Sequence, residues 1–357
     1  MERHTRLYGL QHLRFVAAFA VLAHHILEEA SGSPLAHIFP TMQRVGACGV
    51  DIFFVISGLV MWHTTRGFSS QASARRFFAR RFTRIMPPYW ACLAIVVALS
   101  WSGIAYRHVQ LSAVGLSESV LLLPPTTSGG LVLGVAWTLV YEFYFYLICT
   151  AALCLPWHRY RVVLIAALLA GVPVALDVAG ATAQGHYYGN PIVLEFLGGI
   201  FLGMASARLP ESGLRLKWIV SMTCVALFWW AALASPTEAT SGLPFSFRWW
   251  AWGIPATLLV AAFAQSVDSG GRAGRALTVL GNASYVLYLT HGFFMILFAK
   301  AIKSGAFHHA LSLYVAACCV AGMAVMFALG VHLYIEKPVL GWFEGKRSRI
   351  RQSVLTS

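Results

Sequence analysis

"RFVAAFAVLAHH", Arg14 to His25, places nine apolar residues between an arginine and a pair of histidines. The apolar run continues on both sides, and residues 10–29 together reach the length a helix needs to cross the roughly 30 Å hydrocarbon core of a bilayer. Arg3, Arg6 and Arg14 lie at its start, and no small-residue cleavage site leads into a mature domain behind it. The segment therefore reads as a first membrane span, not a removable leader.

The rest of the chain follows the same pattern. Of its 357 residues, 58% are hydrophobic and only 11% charged, and the mean hydropathy is +0.69. Nine further stretches read as spans: 43–63, 86–104, 134–155, 160–178, 191–208, 216–234, 248–266, 282–301 and 310–335. Residues 117–124, before Pro124-Pro125, are too short to cross and read as a re-entrant or surface helix. The expected fold is an all-α polytopic membrane protein of about ten transmembrane helices. Residues 1–345 form a single domain in this reading, and 346–357 a basic tail.

The formal net charge of +13 would suggest nucleic acid in a soluble protein. With the N-terminus placed in the cytoplasm, however, the inside segments carry twenty basic residues and the outside segments five. That asymmetry is the positive-inside pattern, with both termini cytoplasmic, and it argues against a nucleic-acid partner. The seven cysteines are odd in number, lack a CxxC and mostly sit in apolar runs, so they read as small packing residues. No HExxH, GxSxG or Walker loop occurs, and no metal is expected. Adjacent histidines such as His24-His25 point about 100° apart on a helix and chelate one ion poorly.

Polar residues at membrane depth are costly and are functional candidates. Arg14 and His25 are eleven residues apart, which returns a helix to nearly the same face, roughly 16 Å further along. Ala17 and Ala18 lie on or beside that stripe and leave room for an approach. A histidine packed against a neighbouring helix would explain His25 equally well. In "GVDIFFVISG", Asp51 opens an apolar run, and Ser57 and Gly58 are small enough for close packing. In "RRFFARRFTRIMPPYW", Arg76, Arg80 and Arg84 share a helical face, flanked by Arg75 and Arg81. Pro87-Pro88 is expected to break the helix there. A phosphate-rich ligand suits this cluster, as does an anionic lipid surface. In "WTLVYEFYFYL", Trp137 opens the span, and Thr138, Glu142 and Tyr146 form one stripe. A buried Glu142 could orient a histidine or simply complete an ion pair. Glu195 and Glu336 have weaker claims, the latter as a partner of Lys337.

These stretches together resemble the membrane-bound acyltransferase-3 family over nearly the whole chain. The likeness rests on the Arg14-x10-His25 spacing, "GVDIFFVISG", the arginine-rich stretch ending in "PPYW", and "WTLVYEFYFYL", with support from "LEFLGGIFLG", "ASYVLYLTH" and "IEKP". The "HH", "LLLPP" and the tyrosine of "WTLVYE" look most like the exopolysaccharide-production branch. The resemblance implies a catalytic His25, an essential Arg14 and an acidic Glu142. It also implies that Arg75, Arg76, Arg80, Arg81 and Arg84 serve the acyl-CoA end; we expect Arg14 to join them there, with Asp51, Ser57, Trp137 and Tyr146 in support.

The implied activity is O-acyl transfer, acetyl in the simplest case, from cytoplasmic acyl-CoA to a glycan or lipid-linked saccharide at a bacterial cytoplasmic (inner) membrane, with acyl-CoA as substrate and no bound cofactor. On this expectation Glu142 holds the His25 imidazole, and the pantetheine arm runs along the alanine face. His25 could act as general base or carry the acyl group itself. A transporter using Arg14, His25 and Glu142 as a polar relay, and a structural subunit of a polysaccharide machine, are the other classes the residues permit.

Overall fold

The computed structural model describes residues 8–30, 40–68, 71–106, 111–126, 130–155, 160–179, 187–208, 212–234, 245–265, 271–307 and 309–341. The basic tail expected at 346–357 lies outside them. The first span forms helix α1, Tyr8–Glu29. It is followed by α2, Pro40–Gly46, α3, Gly49–Thr65, and α4, Gln71–Trp101. Then come α5, Ala113–Leu121, α6, Trp137–Cys154, α7, Arg161–Val178, and α8, Leu194–Ala205. The remaining helices are α9, Leu214–Ala234, α10, Phe245–Ala251, α11, Gly253–Ala264, α12, Arg272–Asn282, α13, Ser284–Lys303, and α14, Ala310–Val331. A π-helical turn, His332–Glu336, extends α14. No strand occurs among the described residues.

Among the described residues, seven helical segments are long and apolar enough to cross a membrane, so the chain is a multi-pass helical membrane protein. They coincide with seven of the ten expected spans. The other three expected spans fall on α7, α8 and α11, which are shorter or less continuous. Helix α8 is flanked by 3-10 turns, Pro191–Val193 and Ser206–Arg208, and α10 and α11 are separated only by Trp252, so these two expected spans lie on interrupted helical stretches. The short helix expected before Pro124-Pro125 is α5.

Helix α1 lies at the centre, packed on α2, α3, α12 and α13. Helices α3 and α8 pack along one another. A methyl group on Gly199 would come 2.7 Å from the Leu59 nitrogen, so these two backbones touch where side chains are absent. Four of the cysteines, Cys48, Cys92, Cys149 and Cys224, are buried in the apolar core.

The break expected at Pro87-Pro88 is corrected, because α4 runs on through both prolines. Neighbouring groups hold the helix on either side of them. The Tyr285 hydroxyl donates to the Ile85 carbonyl at 2.9 Å. Beyond the prolines, Tyr89 donates to the Ser119 carbonyl of α5 at 2.6 Å, and the Trp90 indole to Val120 at 2.9 Å. These bonds fasten α4 to α13 and α5, whereas the carbonyls that lose their amide partners to the two prolines are those of Thr83 and Arg84, four residues earlier.

Candidate active site

The arginine-bearing half of α4 packs beside α6, and with α1, α3 and α13 they enclose a cavity of about 410 Å³. Arg14, Ser57, Arg81, Arg84, Glu142 and Tyr146 contribute its polar wall, with Thr138, Tyr285 and Tyr288 further along. Glu142 accepts from Ser57 Oγ at 3.3 Å and from the Tyr146 hydroxyl. Arg81 donates to Thr64 Oγ1 at 3.2 Å, and its guanidinium lies 5.6 Å over the Tyr146 ring. A second chamber of about 430 Å³ shares Arg81 and Arg84 and adds Arg80, Thr64, Asn282 and His332. Three of the five loop arginines thus converge on two adjoining chambers. Arg75 and Arg76 do not join them. Both are exposed at the start of α4, and Arg76 turns back onto Ser73 and the Ala72 carbonyl.

His25 lines neither chamber. It sits roughly 16 Å beyond Arg14 on α1, where its Nδ1 lies 2.8 Å from Glu28 Oε2. The role expected of Glu142 is corrected here: Glu142 bonds Ser57 and Tyr146, and the carboxylate on His25 is Glu28, one helical turn away. Since an ionised carboxylate only accepts, Nδ1 carries the proton of the neutral ring and Nε2 is left as its basic nitrogen.

His24 Nδ1 meets the Gln43 carbonyl at 2.5 Å, while its Nε2 is 4.0 Å from the same Glu28 oxygen. The divergence expected of adjacent histidines is therefore corrected too, because Glu28, three and four residues on, meets both rings. His291 of α13 stacks on His25 with ring centroids 5.1 Å apart. Its Nδ1 donates to the Leu287 carbonyl at 3.2 Å, and its buried Nε2 has no hydrogen-bond partner among the described residues.

The alanine face is filled rather than open. Ala17 meets Gly49 of α3, and Ala18 packs in a cluster with Val286 and Leu287 of α13. Packed rings fill the space between the first chamber and His25. Tyr288 lines the chamber, its ring lies 6.0 Å from that of His291, and His291 stacks on His25.

Asp51 takes no part in either chamber. Arg248 of α10 grips it through Nε at 3.0 Å and Nη2 at 2.7 Å, and Nη2 also reaches the Ala47 carbonyl at 2.8 Å. Asp51 is 0% exposed and Arg248 1%, so an arginine counted as an outside-loop charge is buried in the bundle. Trp137 supports this pair, its ring 6.0 Å from the Arg248 guanidinium. Glu336 bonds His332 Nδ1 at 2.6 Å, where Lys337 was its expected partner. Sequence reasoning missed Glu28, His291 and Arg248. The i, i+3 spacing from His25 was a usable signal for Glu28, and "ASYVLYLTH" ends on His291.

This multi-pass helical bundle sets arginines and a carboxylate around two adjoining chambers and holds a histidine–carboxylate pair further along α1. Residues 7–331 match the family model described as "Acyltransferase domain", so the chain belongs to that acyltransferase family. It is similar to "Exopolysaccharide production protein ExoZ" of Rhizobium meliloti (strain 1021), 29% identical over 86% of this chain and 92% of that protein. It is also similar to "Acyltransferase MdmB" of Streptomyces mycarofaciens, 29% identical over 95% of this chain and 92% of the other. "Nodulation protein 10" of Rhizobium leguminosarum bv. viciae is 25% identical over 78% and 80%. No solved structure matches the chain. The chain is a membrane O-acyltransferase.

Proposed function

We propose that the chain moves an acetyl or other short acyl group from cytoplasmic acyl-CoA to a hydroxyl of a cell-surface glycan or lipid-linked saccharide, with His25 as general base. The observation that carries this reading is the histidine–carboxylate pair His25–Glu28, joined through His291 and Tyr288 to an arginine-walled chamber. Relatives named for exopolysaccharide production and nodulation favour a glycan acceptor.

The phosphates of the donor sit on Arg80, Arg81 and Arg84 in the second chamber, where planar guanidinium groups make paired hydrogen bonds to phosphate. Arg75 and Arg76 draw the anion to the entrance. The thioester arm passes Arg14 and Glu142 in the first chamber and reaches His25 when the packed rings of Tyr288 and His291 move aside. There the acceptor hydroxyl attacks the thioester carbonyl while Nε2 takes its proton. The tetrahedral intermediate then collapses, the C–S bond breaks, and the imidazolium returns the proton to the leaving thiolate. Glu28 holds the ring in the required tautomer and stabilises its charged form. Glu142, Ser57 and Tyr146 keep the chamber wall polar, and Asp51 and Trp137 act on the bundle through Arg248.

The N-terminus, the C-terminus and the arginine end of α4 are cytoplasmic in this proposal, and ten helices cross or enter the bilayer. With Arg248 assigned to the bundle, the outside loops keep only four basic residues against twenty inside. The membrane is the bacterial cytoplasmic one. The test is to incubate nanodisc-embedded protein with acetyl-labelled acetyl-CoA and a surface-glycan extract. Label esterified to glycan hydroxyls supports the proposal. Label held on His25 after rapid quench would replace direct transfer by an acyl-histidine route, and an intact thioester throughout would refute the donor.

A further inference from the structure

His24, His25 and Glu28 each bring a ligand atom to one place, and these atoms all lie within 4.8 Å of one another. We propose that they form a binding site for a divalent transition metal of the zinc class, and that the bound ion switches acyl transfer off. The second half rests on the reading of His25 as general base; the site itself does not.

The donor chemistry suits such an ion. Two imidazoles and one carboxylate form a borderline donor set of the kind zinc takes, whereas magnesium and calcium favour oxygen alone. Tetrahedral zinc, with bonds of about 2.0–2.1 Å, holds neighbouring ligand atoms about 3.3 Å apart. The Glu28 oxygen lies 2.8 Å from His25 Nδ1 and 4.0 Å from His24 Nε2, which brackets that spacing.

His24 is already prepared as a ligand. Its Nδ1–H donates to the Gln43 carbonyl, which leaves the Nε2 lone pair facing Glu28. A backbone carbonyl on the far nitrogen is the usual outer support of a metal-bound histidine. The side chains of His25 and Glu28 are 31% and 38% exposed, so an ion can enter and a water can complete its shell.

The same geometry explains the switch. Without metal, Glu28 keeps the proton of His25 on Nδ1 and leaves Nε2 basic. A cation at Nδ1 takes Glu28 as its own ligand and moves the ring proton to Nε2. That nitrogen can then no longer accept the proton of an acceptor hydroxyl. No redox change and no co-reactant are needed, and removing the ion restores the starting tautomer. His24 has no part in the transfer itself, but its ring meets that of His25 edge-on with centroids 4.7 Å apart, so His24→Gln, which keeps a side chain there, is the variant that removes the ligand with least disturbance of the base.

The experiment titrates Zn²⁺ and, separately, Mg²⁺ into nanodisc protein. Binding is read by calorimetry and thiol release from acetyl-CoA is read in parallel, for wild type, His24→Gln and His24→Ala. The expected result is one zinc per wild-type chain, no magnesium, inhibition at micromolar zinc reversed by EDTA, and about tenfold or greater weakening of both binding and inhibition in each variant. Stoichiometric zinc binding that His24→Gln leaves unchanged, or no zinc binding at all, overturns the site. Zinc bound through His24 with full acyl transfer overturns the switch. Zinc bound through His24 by a protein that shows no acyl transfer in the absence of metal leaves the site standing and refutes the acyltransferase reading of His25 instead.

Discussion

The chemistry of a histidine depends on which nitrogen holds its proton, and in this protein that choice follows from one neighbour. Glu28 lies 2.8 Å from His25 Nδ1, so the basic lone pair is on Nε2. Glu28→Gln removes the charge that stabilises the imidazolium and lets the tautomer relax. The expected outcome is a kcat lower by about a hundredfold with little change in KM for acetyl-CoA, and partial recovery in Glu28→Asp. Steady-state thiol release checks it. A parallel rise in KM would instead point to a role in holding the donor. At this scale the sequence singled out Arg14, His25, Glu142 and the arginine cluster as candidates. It paired His25 with the wrong carboxylate because Glu142 stands out inside an apolar span, whereas Glu28 looks like the polar end of a helix.

At the scale of the element, the buried Asp51–Arg248 pair ties α3 to α10. Removing one partner strands a charge in a water-free interior, which costs about 3–5 kcal/mol. Asp51→Asn is therefore expected to lower the thermal midpoint of the purified protein sharply. Asp51→Leu with Arg248→Met should recover much of the loss, because no unpaired charge remains. Thermal unfolding of single and double variants, read as a mutant cycle, measures this, and additive losses would show that the two residues act separately. Helix positions were legible from apolar run length alone, and every expected span falls on a helix. Two things were not legible. Pro87-Pro88 signals a break locally, yet α4 runs on through both prolines and is fastened to its neighbours by Tyr285, Tyr89 and Trp90. The second is that the expected spans 191–208 and 248–266 are each divided, into α8 with a 3-10 turn at either end and into α10 and α11 on either side of Trp252, because hydropathy does not register a change of helix type or a one-residue break.

Across the whole molecule, the arrangement places a basic chamber near one end of α1 and the His25–Glu28 pair near the other. The positive-inside count was readable from sequence, but the chambers were not, because they form only when α1, α3, α4, α6 and α13 come together. Arg81 and Arg84 face both chambers, while Arg75 and Arg76 face outward. Arg84→Ala is therefore expected to raise KM for acetyl-CoA about tenfold or more, since a hydrogen bond to a charged group contributes about 1.5–3 kcal/mol. Arg75→Ala should change it only slightly and mainly at low salt. Equal effects from both would mean that the arginines act as a diffuse surface charge.

The measurement that tests the central claim most directly is thiol release from acetyl-CoA by nanodisc protein given a surface-glycan acceptor, for wild type, His25→Ala and His24→Ala. Turnover by wild type and His24→Ala, with none by His25→Ala, is the predicted result. Undiminished turnover by a folded His25→Ala protein would contradict it and remove His25 from the chemistry.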